Sequence, residues 1–85
     1  MPWDLLIANP AARDLRELSL DDLRRINTAF EAMRSNPYSG DIKFLRGSGG
    51  RLLRRVGIWR ILFEVLQEKR TVVILGVKRR TSTNY

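Results

Sequence analysis

Residues 51–79 read RLLRRVGIWRILFEVLQEKRTVVILGVKR, and the spacing of their apolar positions decides the fold. From Arg51 onward the pattern repeats every second residue, the period of a strand rather than a helix. RLLRRV predicts one strand and Val56-Gly57 a turn. In IWRILFEVLQ, Trp59, Ile61, Phe63 and Val65 take one face, and Arg60, Leu62, Glu64 and Leu66 the other. QEKR turns the chain. TVVILGVK, apolar on both faces, predicts a central strand. Three consecutive strands with short turns form an antiparallel meander.

Upstream, residues 3–7 are a short apolar run that suits a strand and ends at Ala8-Asn9-Pro10. Asn9 then reads as a helix cap, with Pro10 at the first helical position, where its missing N–H costs nothing. Leu15 and Leu18 give the first helix a modest stripe. Ser19 and Asp22 resemble a capping box opening a second helix. There Leu23, Ile26, Phe30 and Met33 recur at spacings of three and four. Asn36-Pro37 ends it. The segment YSGDIKFLRGSGG, rich in glycine and serine, reads as a loop. It lacks both the Gly-Lys-Ser/Thr ending and the preceding buried strand of a phosphate-binding P-loop. The expected fold is α+β, one domain over residues 1–85 in the order β-α-α-β-β-β. Its small, mostly antiparallel sheet carries a helical hairpin on one face.

The chain has 85 residues, no cysteine and no histidine, which excludes disulfides, thiolate metal sites and imidazole chemistry. No cofactor is expected, and any catalysis must come from Lys, Arg, Tyr, Asp, Glu, Ser or Thr. A formal charge of +7 predicts attraction to polyanions, nucleic acid above all. No apolar run approaches the roughly 18 residues of a membrane span, so no membrane partner is expected. The N-terminus lacks the cationic start of a signal peptide, and the expected location is the cytoplasm.

Alternation also aims the bases. With Trp59, Ile61 and Phe63 toward the helices, Leu52 and Val56 turn inward, while Arg51, Leu53, Arg55, Arg60 and Glu64 face outward. Whether Lys78 or Arg79 joins Arg60 depends on register, since only one of two successive residues can. Clustered cations repel one another unless an anion is present. Glu64 and Glu68, the nearest carboxylates in sequence, are too few to balance them, which favours an anion-binding surface over a merely solvated one.

IKFLRGSGGRLLRRVGIWRILFEV followed by VVILGVKRRTSTNY resembles the RelE/ParE superfamily of bacterial toxins, on its RelE-like branch. PAARDLREL and LRRINTAFEAMRSNP suit that family's helical hairpin, so the resemblance spans nearly the whole chain. It implies a metal-independent endoribonuclease that enters the ribosome and cuts messenger RNA, arresting translation and growth. Arg60, after the Val-Gly-x-aromatic turn, and Arg79, ending the last strand, would stabilise the scissile phosphate. Placing Val77 at the end of a central strand aims Lys78 and Arg79 beside Arg60. Tyr85 matches the C-terminal tyrosine that stacks on a base or takes the 2′-OH proton, and residues 81–84 would tether it over the same face. Glu64 is the spare candidate for base. Arg51, Arg55, Lys78 and Arg80 would bind RNA. Leu53 departs from a position that is basic in the family, and Arg51 is the candidate to compensate. The resemblance also implies a cognate antitoxin with an acidic segment, landing partly on Leu53, Leu62 and Leu66. The alternative within the superfamily is a ParE-like inhibitor of DNA gyrase without nuclease activity.

Overall fold

A computed structural model describes residues 2–80. The strands are β1 (Asp4–Ile7), β2 (Asp41–Phe44), β3 (Leu52–Val56), β4 (Trp59–Leu66) and β5 (Thr71–Arg79); the helices α1 (Asn9–Arg16) and α2 (Leu20–Ser35) lie between β1 and β2. The sheet order is β1-β5-β4-β3-β2, with β1 parallel to β5 and every other pair antiparallel. The meander, the hairpin and the α+β class are as the sequence predicts. β5 is an interior strand, as its apolar composition implies.

Strand β2 was not expected. Its four residues, DIKF, pair with β3 from within the segment read as a loop. Glycine and serine on both sides obscure its single alternation of Ile42, Lys43 and Phe44. Gly40 precedes it at φ 82°, and a Cβ there would lie 2.6 Å from Cζ of Arg54. The Arg54 guanidinium packs in that gap, donating to the Ser39 carbonyl at 2.6 Å and to Ser39 Oγ at 3.0 Å. Burial pushes the Arg54 pKa down. This arginine is a structural clamp on the entry to β2.

The helix starts differ from each other. Ser19 caps α2, its hydroxyl accepting from the Asp22 N–H at 3.2 Å, as the capping pattern predicts. Asn9, by contrast, is already helical, and the cap of α1 is Ala8, which has no side-chain acceptor. The Ala8 N–H instead donates to the Ile74 carbonyl at 2.9 Å, so the backbone hook to β5 sets the start of α1.

Both helices cover one face of the sheet. Ala11, Leu18, Ile26, Ala29, Phe30 and Met33 pack against Trp59, Ile61, Phe63, Val72, Ile74 and Val77. Each large apolar side chain so buried contributes about 1.5–3 kcal/mol. The opposite face of the sheet carries no helix. Among the described residues, no helix is long and apolar enough to cross a membrane.

Candidate anion-binding site

The ladder sorts the outer-face residues into rows. Asp41, Arg55, Arg60 and Lys78 stand opposite one another across β2, β3, β4 and β5. The next row is Lys43, Leu53, Leu62 and Gly76. Directly opposed residues project to the same face with Cβ atoms about 4.5–5.5 Å apart. Arg55 and Arg60 therefore meet on the uncovered face, as alternation predicts, and Lys78 joins them.

Arg79 does not. It stands opposite Trp59, and its guanidinium lies 5.6 Å from the centre of the indole ring. Alternation overturns the expectation that Lys78 and Arg79 both aim beside Arg60, and a β-bulge decides which of them does. Phe63 pairs with Ile74 but Leu62 pairs with Gly76, leaving Leu75 without a partner. One extra residue reverses the alternation beyond it. Without the bulge, Arg79 would share the face of Arg60 and Lys78 would not.

The balance of charge also differs from expectation, because distant carboxylates fold onto the cations. Asp41 grips Arg55 at two points, both 2.9 Å. Asp14 of α1 accepts from Lys78 Nζ at 3.0 Å and from the Val77 N–H at 2.9 Å. Glu64, the spare candidate for base, takes Arg51 Nε at 3.2 Å. Hydrogen bonding from Arg55 holds the Asp41 carboxyl below its ordinary value; desolvation opposes it, and the charges of Arg55 and then Arg80 add smaller lowering effects. The same pair raises the Arg55 pKa. Arg80 braces the β3–β4 turn, its N–H donating to the Ile58 carbonyl at 2.6 Å and its guanidinium to the Gly57 carbonyl at 3.3 Å.

Lys43, Leu53, Arg55 and Arg60 line a small cavity of about 50 Å³ that opens to the surface. Leu53 is 4% exposed and is its apolar floor, not the accessible docking residue expected. The bases around it bury it. Lys43 is the lining residue that sequence reasoning missed, because it lies on the unrecognised strand β2. The apolar-basic-apolar order of Ile42, Lys43 and Phe44 was the available signal. Among the described residues, no group of carboxylates could hold a metal ion. Tyr85 and its tether, residues 81–84, lie outside the described residues.

No protein-family model matches the sequence. The chain is 29% identical over 83 residues to a candidate toxin, RelE1, of Methanocaldococcus jannaschii, covering 94% of this chain and 92% of that protein. It is similar to a chain of the toxin–antitoxin complex RelBE2 of Mycobacterium tuberculosis, at 32% identity and TM-score 0.83, covering 94% of this chain and all of that one. The isolated RelE toxin of E. coli shares the fold at TM-score 0.80 and 18% identity, over 96% of this chain and 88% of that one. The five-stranded sheet, the helical hairpin on one face and the match at 32% identity along a whole chain of RelBE2 agree: this chain belongs to the RelE-like toxin superfamily.

Proposed function

We propose that this chain is the toxin of a type II toxin–antitoxin pair, a metal-independent endoribonuclease that cuts messenger RNA on the ribosome in the cytoplasm. The observation that carries this reading is the row Arg55, Arg60 and Lys78 on a helix-free face, with a cavity beside it. Cleavage needs little beyond such a row. The ribose 2′-oxygen attacks the adjacent phosphorus, the bond from phosphorus to the 5′-oxygen breaks as that oxygen takes a proton from water, and negative charge builds on the phosphoryl oxygens. Fixed cations stabilise that charge, which is often the largest catalytic contribution. Arginine suits the task because its planar fork grips two oxygens and stays protonated.

Arg60 takes the phosphate, Lys78 stands beside it, and Arg55 and Arg51 steer the backbone, with Arg80 at the rim. Arg79 takes part by leaving the Trp59 ring. The 2′-OH proton goes to Tyr85 or, once Arg51 releases it, to Glu64. The partner is an antitoxin with an acidic segment, and membership in a family with a solved RelBE2 complex supports it. Its apolar residues land on the other half of the outer face, where Leu6 and Leu66 are exposed and Leu62 and Val73 half-buried.

Expression of the chain alone should arrest growth, and RNA 5′-end mapping should show cuts within translated messages. Growth arrest with intact messages and reduced DNA supercoiling would overturn the nuclease reading in favour of gyrase inhibition.

A further inference from the structure

We infer that Lys43 is an RNA phosphate-binding residue of the cavity, supplying from β2 the positive charge that β3 lacks at Leu53. Lys43 stands directly opposite Leu53, so its side chain leaves the sheet on the same face and within one strand spacing of it. It lines the cavity together with Arg55 and Arg60. Arg51, the other candidate for this task, starts beyond the end of β3 and is tied to Glu64 at 3.2 Å. Arg55 is tied to Asp41 along one edge of its guanidinium, Nε and one Nη each donating to a carboxylate oxygen. Among the described residues, Lys43 has no carboxylate within ion-pair distance. Its charge is therefore the least committed of those around the cavity. A lysine suits the position: its compact ammonium on a flexible stem can follow a phosphate that Arg60 fixes.

The ligand is one phosphodiester of single-stranded RNA beside the one held by Arg60. An anionic peptide is the competing occupant, but the apolar floor gives it only Leu53, with no exposed apolar contact. The inference rests on the reading that this face takes RNA, and the test separates the two. A 2′-O-methyl oligoribonucleotide, which cannot be cleaved, is titrated by fluorescence anisotropy at several salt concentrations against the full chain and single variants. Lys43→Met should weaken binding about five- to tenfold and reduce the slope of log affinity against log salt by about 0.7, the share of one single-strand phosphate contact. Lys43→Arg should bind almost as the parent does. Arg24→Met, which removes an equal charge from α2, sets the loss due to net charge alone. Lys43 is exposed on an edge strand, so Lys43→Met should melt at the parent temperature. If Lys43→Met matches Arg24→Met while Arg60→Met is clearly weaker, the inference fails and the reading of the face survives. If Arg60→Met also matches Arg24→Met, both fail.

Discussion

Arg60 stands directly opposite Lys78 across the β4–β5 ladder, and the unpaired Leu75 three residues earlier is the reason. The bulge decides which of two adjacent bases serves the cationic row. It sends Lys78 to the open face and Arg79 to the ring of Trp59.

Arg60→Ala should lower cleavage of translated messages by about a hundred- to a thousandfold, the cost of removing one fixed donor to a developing oxyanion. Its thermal unfolding should match the parent. Cleavage assays on stalled ribosomes measure the first quantity and circular dichroism the second. Unchanged cleavage would remove Arg60 from the site.

Arg79→Ala should cost less than Arg60→Ala, because Arg79 must first give up its contact with Trp59. That contact also provides a readout. Trp59 fluorescence should change in the Arg79→Ala variant, and in the parent chain when RNA binds. A silent Trp59 on RNA binding would mean that Arg79 stays against the ring.

Asp41→Asn should tighten binding of single-stranded RNA by freeing Arg55 while leaving the fold intact. The same substitution should flatten part of the acid limb of the stability curve. Asp41 titrates below its ordinary value of 3.8 when folded, chiefly through its hydrogen bonds to Arg55. Its contribution is thus complete above that value and disappears as pH falls through the lower folded value. The effect is small, since the pair is exposed to solvent. Parallel melts of parent and variant across the acid range should converge at the lowest pH.

Gly40→Ala should destabilise the chain by about 1–3 kcal/mol, the usual cost of a left-handed backbone at a residue with a side chain. The new methyl also displaces the Arg54 guanidinium from the Ser39 oxygens. Urea unfolding measures the loss. An unaffected midpoint would show that the entry to β2 does not depend on that clamp.

The frame of the molecule was legible because its signals are long and repeated. β4 repeats every second residue over its whole length, β5 is a long apolar run, and α2 shows its stripe from Leu23 to Met33. The face carrying Arg55 and Arg60 followed from that alternation alone. What escaped were features one residue or one short strand in size. The bulge at Leu75 hides in a run of Val, Ile and Leu, its one trace the glycine at 76 inside the strand, yet it exchanges Lys78 for Arg79. β2 offers a single alternation beside glycines, so Lys43 read as part of a loop. Asp14 neutralises a cation distant in sequence, and Asp41 lies on the strand not recognised, so spacing cannot reveal either pair. The cap of α1 was missed by one residue because Ala8 has no capping side chain, and its N–H is held by the Ile74 carbonyl.

Asp14 has a structural consequence besides its ion pair with Lys78. β1 ends at Ile7, opposite Ile74, so the rest of β5 extends beyond its parallel neighbour. There the Asp14 carboxylate occupies the Val77 N–H that an incoming strand would need. Gly76 lies against the same carboxylate, which a Cβ at that position would meet at 3.4 Å, in ordinary contact. The helix thus seals a protruding strand with one side chain. A foreign peptide seeking to extend the sheet must use the short outer strands, and on one side that means docking along β2, beside Lys43 and the mouth of the cavity.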